Sequence, residues 1–501
     1  MFSSVNTQML ERRSSLGQHT ANVGLLLFSV FAPHSIAAAE ISLAIVAAGW
    51  LVRTLSTGTT GLRRTRFDLP VCLFFLWSVA SSFLSEEPRI SIAKLQSAAV
   101  IFLFFLIQAV VTRRTAVMLV AVMILSGVAG AVYSVYDLMR GRGIVVESIS
   151  PESPLQQLQV RKGDAIWRIN KQRIYSVSDI DARLRDSLVG TQLSVSLISQ
   201  GEHVERPGLL VTEVIKQRPS PSGITGSRAT HRFRASGWIS HYETFSEILQ
   251  VLAQLAFGFA LANYRNHGLN RRARLAFAAA ILLAFGITFT AMRTALVALA
   301  IGIVVISLRA LAGRARILSV SLGLLVLVFG AVVVYQTRAA NALWLQDPSS
   351  SLRAEVATMG LKRVLIHPLF GHGMDSIHRH WTEWGFPGHD MIHMHSTPLQ
   401  ITFDRGFPAL IFWLWIMAAF WITTSRAERS GRESRDANRH GILLGATGAI
   451  AAIFASSLVN YNFGDEEVVL VFWWLMGIVV VLTKEQVDPQ KHMKCARIVV
   501  Q

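Results

Sequence analysis

The chain alternates between long apolar runs and short polar segments, and two hydrophilic stretches interrupt this alternation. A helix needs about 20 mostly apolar residues to cross a bilayer, and runs near that length recur along the sequence. We count about twelve of them, at residues 22–34, 36–52, 68–85, 92–112, 115–138, 239–263, 274–291, 293–308, 317–336, 397–424, 441–461 and 467–483. The pattern predicts a polytopic all-α membrane protein with about twelve transmembrane helices.

Arginine and lysine separate the connecting loops into two sets. One set of short loops is basic, and the alternate set carries the acidic groups Glu86–Glu87 and Asp465–Glu467. The basic clusters include Arg12, Arg53, Arg64, Arg113, Arg272, Arg314 and Arg426. Because positive residues accumulate in cytoplasmic loops, we expect both termini to be cytoplasmic and both hydrophilic stretches to lie outside.

Composition agrees with a membrane protein. Hydrophobic residues make up 52% of the chain and charged residues 16%, which is below the share typical of soluble proteins. The net charge of +17 could indicate nucleic acid binding, but the basic residues lie between apolar runs and suit topology and anionic lipid instead. Cys72 and Cys495 form no disulfide framework. The N-terminal segment has no clear cleavage site, which indicates an uncleaved first transmembrane helix.

The first hydrophilic stretch begins near residue 140 and alternates like a series of short strands. A helical segment is predicted from Ser178 to Arg185. Three motifs occur in the order found in bacterial PDZ domains, which the stretch resembles: Ser153-Pro154, Gly163-Asp164-x-Ile166 and Ile169-Asn170. The sequence thus predicts a small α+β insert.

Peptide binding is what the PDZ resemblance implies, through addition of a strand to a sheet edge. The carboxylate-binding loop of a PDZ domain would precede Gly143, where this chain is still in a predicted membrane helix. We therefore consider Gly208 to Val214 as the source of the missing edge strand. A plain spacer or docking module remains the alternative.

The second hydrophilic stretch is rich in histidine. Seven of the chain's 15 histidines fall in it: His367, His372, His378, His380, His389, His393 and His395. With Asp375, Glu383 and Asp390 nearby these side chains could bind zinc. No HExxH-type spacing and no cysteine support such a site, so we predict no metal.

Three residues are candidates for chemistry. Arg293 lies between two apolar runs, where a charge is costly without a partner, so it is either functional or an interfacial anchor. Arg353 lies on an amphipathic segment and could equally belong to a solvated face. His395 precedes Ser396-Thr397-Pro398, the capped entry to a helix, where an imidazole could accept a proton from a hydroxyl or act merely as a cap.

Four blocks of sequence point to a family. They are Arg234-x-x-Gly237-Trp238 with His241 and Phe245; Thr290-x-x-Arg293 with Ala295; Arg353 with His367-Pro368-Leu369-x-Gly371-x-Gly373; and His395-Ser396-x-x-Leu399 with Asp404-x-Gly406-x-Pro408. In this order they resemble the O-antigen ligase and polysaccharide polymerase superfamily of bacterial inner membranes. The chain departs from that family's pattern at Ser396, Asp404 and Ala409, where Asn, Glu and Gly are usual.

The resemblance implies a glycan transferase at the periplasmic face. The donor would be a glycan on an undecaprenyl-diphosphate carrier, and the acceptor a lipid or glycan hydroxyl. Arg293 and Arg353 would hold the diphosphate, Arg234 would orient the donor and His395 would be the catalytic base. His241, Ser396 and Asp404 would support the site. The resemblance implies neither a cofactor nor a metal, and we expect no nucleic acid partner.

The expected domain organisation follows from these features. Transmembrane helices 1 to 5 occupy residues 1–138, and helices 6 to 9 occupy 239–336. Between them lie a periplasmic PDZ-like domain at 139–215 and a linker at 216–238. A large periplasmic loop at 337–395 precedes the tenth helix, helices 10 to 12 occupy 396–484, and a cytoplasmic tail follows at 485–501.

Three other functions stay open at the level of sequence. A polymerase of the same superfamily would extend a lipid-linked chain rather than transfer it to a final acceptor. A transporter for lipid-linked sugars would place its charged residues along a path near the middle of the membrane. A scaffold would recruit protein partners through the PDZ-like domain and leave the membrane part without activity.

Overall fold

The structure is a computed structural model that describes residues 2–141, 143–199, 202–229, 234–239, 241–338, 348–388, 393–431 and 436–483. It divides into two compact units: a helical unit formed by Met1–Ala131 and Trp238–Gln501, and an inserted unit formed by Val132–Gly237. The predicted cytoplasmic tail at 485–501 lies outside the described residues.

Helices account for almost all of the first unit. They are α1 (Phe2–Phe31), α2 (Ile36–Thr57), α3 (Asp68–Leu84), α4 (Pro88–Ala93), α5 (Phe102–Val110), α6 (Arg113–Arg140), α9 (Tyr242–His267), α10 (Arg271–Thr290), α11 (Arg293–Ala310), α12 (Gly313–Arg338), α13 (Pro348–Val364), α14 (Ser376–His380), α15 (Thr397–Gly431), α16 (Ala437–Ser457) and α17 (Glu466–Thr483). Helices α7 (Val177–Asp186) and α8 (Glu213–Lys216) belong to the inserted unit, and α6 continues into it.

Eight of the described helices are long and apolar enough to cross a membrane: α2, α6, α9, α10, α11, α15, α16 and α17. Helix α3 and the run Leu95–Val110 are apolar but shorter. The chain is thus a multi-pass membrane protein. All the predicted apolar runs fall on helical segments, although residues 92–112 divide into a 3-10 helix at Leu95–Ile101 and α5. The count of twelve spans and the assignment of membrane sides stay predictions.

Helix α9 is the central helix of this unit. In its most apolar stretch 94% of the residues are buried, against 22% in α2, so α9 is enclosed by protein while α2 presents most of its surface outward. It packs closely on α16 because Gly258 of α9 meets the backbone of Gly441 and Gly445. Small residues permit such approach where lipid offers no hydrophobic driving force for helix association.

Helix α15 is kinked, whereas the apolar run predicted one continuous helix. Gly406 adopts φ 76° and ψ 175°, outside helical geometry, and Pro408 follows two residues later. A Cβ at Gly406 would collide with the carbonyl of Leu369, because a turn of the preceding loop packs against the kink. A glycine is needed at this position for both its positive φ and its lack of a side chain.

The inserted unit contains a six-stranded sheet. Its strands are β1 (Ile144–Ile149), β2 (Ala165–Ile169), β3 (Gln172–Arg173), β4 (Gln192–Ser199), β5 (Glu202–Leu210) and β6 (Ile224–Ala229). The order is β5-β4-β2-β1-β6, with β3 paired to β2, and all pairs are antiparallel. Helix α7 (Val177–Asp186) begins with a capping box formed by Ser176 and Asp179. It confirms the helix predicted from Ser178 to Arg185.

Two expectations for the insert differ from the structure. Residues 208–210 end β5, which pairs with β4, so Gly208 to Val214 do not form the edge beside β1. That edge is formed by β6, which lies within the predicted linker at 216–238. The strand was missed because Pro219, Pro221 and the surrounding serines and glycines are typical of a linker. The PDZ assignment itself stays a prediction.

Candidate functional site

The entry to α15 is held in an unusual backbone conformation. His395 has φ 51°, in the left-handed region that few residues other than glycine adopt. On one side the Met394 backbone N–H donates to Gln400 Oε1 at 2.8 Å. On the other, the Thr397 hydroxyl donates to the Asn460 carbonyl at 3.1 Å and to Asn462 Oδ1 at 2.9 Å. These bonds hold the backbone on both sides of His395, and strain of this kind concentrates at functional sites.

His393 and His395 form a close pair. Their ring centroids lie 4.3 Å apart, and the His395 backbone N–H donates to His393 Nδ1 at 3.3 Å. Because His393 Nδ1 accepts this bond, it carries no proton. His395 Nδ1 is buried and has no hydrogen-bond partner among the residues that the structure describes. The pair therefore leaves one ring nitrogen of His395 available to a ligand.

Both imidazoles are neutral near pH 7. Burial lowers the pKa of His395 to about 3, and His393 and Arg353 act in the same direction. Burial also lowers the pKa of His393 to about 4; Glu243 opposes this shift, while Arg353 and His241 add to it. Removal from water disfavours the charged form of an imidazole, and a neighbouring positive charge disfavours it too.

Arg353 belongs to the same part of the molecule. It lies on α13, and its charge acts on both His393 and His395. The helix is held against the α15 entry where Gly360 packs on Met394. The Arg353 Nε atom is buried and, within the described chain, has no hydrogen-bond partner. A guanidinium in this state is suited to receive an acceptor such as a phosphate oxygen.

Arg293 lies at the same end of the helical unit. It is the first residue of α11, directly after the sharp joint at Ala291 and Met292 that separates α10 from α11. The Ser246 hydroxyl of α9 contacts Met292 Sδ at 2.7 Å, which places the start of α11 beside the start of α9. Glu243, one turn earlier on α9, acts on His393. We call this end, where α9, α11, α15 and α17 begin, the site end.

An acidic cluster borders the histidines at the site end. Thr244 Oγ1 lies 3.3 Å from His241 Nδ1 and donates to Asp465 Oδ2 at 3.0 Å. Burial raises the pKa of Asp465, while His241 and the hydrogen bond from Thr244 oppose the rise. From the sequence, Asp465 was used only to assign the side of the membrane, and its contact with Thr244 was missed. The polar run from His241 to Glu243 at the start of an apolar helix was the signal that could have indicated a site here.

Glu247 supports the loop that holds the α15 entry. It is 1% exposed, lies on α9 and accepts a hydrogen bond from the Asn460 side chain. The carbonyl of Asn460 in turn accepts bonds from Thr397. A buried carboxyl group in a membrane helix is costly, and such groups usually have a function. The sequence did not single out this residue.

The supporting residues predicted from the sequence take different places. Asp404 is 2% exposed; its side chain accepts from Gln400 at 2.8 Å and its carbonyl from Gly373 at 3.0 Å. It therefore anchors the turn that packs on the α15 kink. Ser396 precedes α15 and its carbonyl accepts from Gln400. Arg234 is half-buried and belongs to the inserted unit, so its predicted role stays a prediction.

The other histidines of the loop divide into several environments. His372 is fully buried and contacts Glu86, a residue of the α3–α4 loop. His380 Nδ1 lies 2.7 Å from Glu383 and its Nε2 lies 3.2 Å from Glu87. His378 is exposed. His389 and Asp390 lie outside the described residues. Of the acidic partners considered for zinc, Glu383 alone has a histidine contact among the described residues.

The helical unit thus defines a class: a multi-pass membrane protein with a basic and histidine-containing site at one end of the bundle. Comparison with protein families identifies the class more closely. Residues 278–414 match the family model described as O-Antigen ligase, a range that includes Arg293, Arg353, Ser396, His395 and Asp404. The match supports the O-antigen ligase superfamily for this segment, in agreement with the sequence motifs. A search of curated proteins found no match.

Proposed function

We propose that the protein transfers a glycan from an undecaprenyl-diphosphate carrier to an acceptor hydroxyl at the periplasmic face, in the manner of an O-antigen ligase. One observation carries this proposal. Arg353 and His395 lie together at the site end, and each has a buried nitrogen without a hydrogen-bond partner among the described residues. A substrate that brings phosphate oxygens and a hydroxyl group would supply both partners.

The leaving group determines what the site must stabilise. The acceptor oxygen attacks the anomeric carbon, the bond from that carbon to the diphosphate oxygen breaks, and the diphosphate leaves with the electron pair. Negative charge therefore grows on the diphosphate. Arginine forks match phosphate oxygens in geometry and charge, so Arg353, together with Arg293, would stabilise the transition state. This step needs no metal.

His395 would accept the proton of the attacking hydroxyl. It is neutral without substrate, as a base must be, but a pKa of about 3 makes it a weak one. A bound diphosphate would place negative charge beside Arg353 and the histidines, and this raises the pKa of the imidazole toward neutrality. The donor would thus prepare the base that activates the acceptor.

The remaining predicted site residues have subordinate roles in this proposal. Arg293 would share the diphosphate with Arg353. His241 would help to keep the pKa of His393 low. Ser396 and Asp404 would hold the α15 entry and its kink. Arg234, of the inserted unit, would orient the donor. The site end would face the periplasm of a bacterial inner membrane, with both chain termini in the cytoplasm.

The decisive experiment measures transfer in proteoliposomes from purified undecaprenyl-diphosphate glycan. We expect the transfer rate of His395→Ala to fall by about 10²–10⁴-fold, because general-base catalysis contributes a factor of that size. His378→Ala is the matched control, since His378 is an exposed histidine of the same loop. Equal activity of the two variants would refute the role of His395. Wild-type activity that EDTA abolishes while both helicity and the unfolding temperature stay unchanged would refute a transfer step free of metal.

A polymerase is the second candidate within the superfamily. The same diphosphate site and base would serve it, since the acceptor hydroxyl would then belong to another carrier-linked glycan. Product length distinguishes the two functions: a ligase places the glycan on a final acceptor such as a lipid core, and a polymerase yields longer carrier-linked chains. Gel separation of the products after mild acid, which releases carrier-linked glycans, would decide.

A transporter or a scaffold would use the chain differently. The charged groups described above gather at the site end, whereas a transporter requires them along a central path. A scaffold would act through the inserted unit. Deleting residues 143–229 tests this possibility; a deletion that stopped at 215 would remove β1 and leave β6 without its partner. Retained transfer by the deletion variant would make the insert accessory.

A further inference from the structure

Three side chains of metal-binding type converge where the large loop meets the end of α3. They are Glu86, His367 and His372, and their ligand atoms all lie within 4.8 Å of one another. Glu86 Oε2 contacts His372 Nδ1 directly and lies 3.7 Å from His367 Nε2. A ring nitrogen of each imidazole thus lies near the same carboxylate oxygen. This arrangement joins residues that are far apart in sequence and was not foreseen from it.

The hydrogen bonds of His372 show that a positive species is needed between it and Glu86. His372 Nε2 lies 2.9 Å from the carbonyl oxygen of Arg363, which can only accept, so Nε2 carries a proton. In a neutral imidazole Nδ1 then bears a lone pair, which would point at the Glu86 carboxylate. Two acceptors in contact repel each other. Either a second proton or a metal ion must lie between them.

His367 supplies the third ligand atom that a metal ion, unlike a proton, would use. A proton would bridge His372 and Glu86 alone, and the 3.7 Å separation leaves His367 Nε2 beyond hydrogen-bond distance of Glu86. A zinc ion with bonds of about 2.0–2.1 Å holds neighbouring ligand atoms about 3.3 Å apart, which small side-chain movements would achieve here. The rings of the two histidines are nearly perpendicular, at 83°.

The surroundings of His372 resemble the outer shell of a metal site. The Arg363 carbonyl fixes its tautomer, as partners of metal-binding histidines usually do. Its ring is held by Phe403 at 4.4 Å and Trp384 at 5.2 Å. The positive charge of Arg363 opposes a cation, but its guanidinium stacks on Trp384 at 4.3 Å and the Glu86 carboxylate offsets it.

We propose that Glu86, His367 and His372 bind one zinc-type divalent ion, with water completing a tetrahedral shell. Its role is structural. The backbone N–H of Glu87 already donates to the His372 carbonyl at 3.1 Å, and the ion would tie the same turn to the α3–α4 loop through side chains. The ion takes no part in glycan transfer, and the proposal stands whether or not the transfer function is correct.

The test is zinc binding by the full-length protein, purified in detergent through a tag without histidine and freed of metal with EDTA. We expect about one zinc per chain by elemental analysis after dialysis against micromolar zinc, and a rise in the unfolding temperature on adding zinc. His367→Ala and Glu86→Gln should each weaken zinc binding about tenfold or more. Both variants spare the buried His372, whose replacement could prevent folding.

Matched controls remove neighbouring groups of the same kinds. Glu87→Gln and His378→Ala should bind zinc as the wild type does, and so should His395→Ala. The proposal is overturned if the wild type binds no zinc, which would mean that a proton bridges His372 and Glu86. It is equally overturned if His367→Ala and Glu86→Gln bind zinc as tightly as the wild type, because the ion would then be an adventitious one bound elsewhere.

Discussion

Two parts of the large loop use histidine in opposite ways. At the α15 entry, His393 and His395 lie beside Arg353, and His395 keeps a buried nitrogen without a partner among the described residues. At the end of α3, both ring nitrogens of His372 have partners, one in Glu86 and one in a backbone carbonyl. The neighbouring charge accounts for the difference. Cationic surroundings leave an imidazole nitrogen available to an anionic substrate, whereas a neighbouring carboxylate binds the imidazole and gives it a structural role.

After His395→Ala, removal of Arg353 should have the largest effect on this comparison. We expect Arg353→Ala to reduce kcat/KM for transfer by roughly 10–100-fold, because a charge-assisted bond contributes about 1.5–3 kcal/mol. Arg353→Lys should recover part of the loss, since lysine keeps the charge without the fork. Replacing the exposed Arg379 by Ala is the control. Equal kcat/KM in the Arg353→Ala and Arg379→Ala variants would contradict a role in binding the diphosphate.

The kink at Gly406 joins the two regions and should be sensitive to any side chain. Gly406→Ala combines a positive φ with a collision against the Leu369 carbonyl, so we expect a loss of stability of about 2 kcal/mol or more. Gly385→Ala has a similar φ of 72° but open space around it, and should cost about 1 kcal/mol. Thermal unfolding in detergent measures both. Equal costs would show that the kink accommodates a Cβ.

The Thr397 hydroxyl should contribute a smaller amount. Thr397→Val loses its bonds to Asn460 and Asn462, at about 1 kcal/mol, and should also lower transfer because the α15 entry loosens. Thr402→Val is the control, since Thr402 bonds only to the Pro398 carbonyl of its own helix among the described residues. A change in stability without any change in transfer would separate the entry from catalysis.

The smallest expected effect concerns how kcat/KM of the wild type depends on pH. Protonation of His395 removes the base, and its lowered pKa means that this occurs well below the ordinary value of 6.5. The kcat/KM of the wild type should therefore stay flat on acidification to about pH 5. In Arg353→Ala the loss of a positive neighbour raises the pKa of His395, so the acid limb moves to higher pH. A wild-type limb near 6.5 would contradict the burial of this imidazole.

The sequence identified the class of protein because the controlling signals are local. An apolar run of spanning length needs no tertiary partner to be recognised, and the predicted runs on either side of Pro33 and of Met292 fall on separate helices. The motif residues were equally local, and the family match covers the segment that carries Arg293, Arg353 and His395.

What the tertiary structure decided were contacts between residues far apart in the chain. Glu86 meets His372 across 286 positions, and Glu247 meets Asn460 across 213, and no local pattern encodes either pairing. The kink at Gly406 likewise depends on the Leu369 carbonyl that packs into it. Hydrophobicity determines which segments become helices, but burial, partner charge and hydrogen-bond geometry exist only after those helices pack. Which histidine is free for chemistry is therefore a property of the fold.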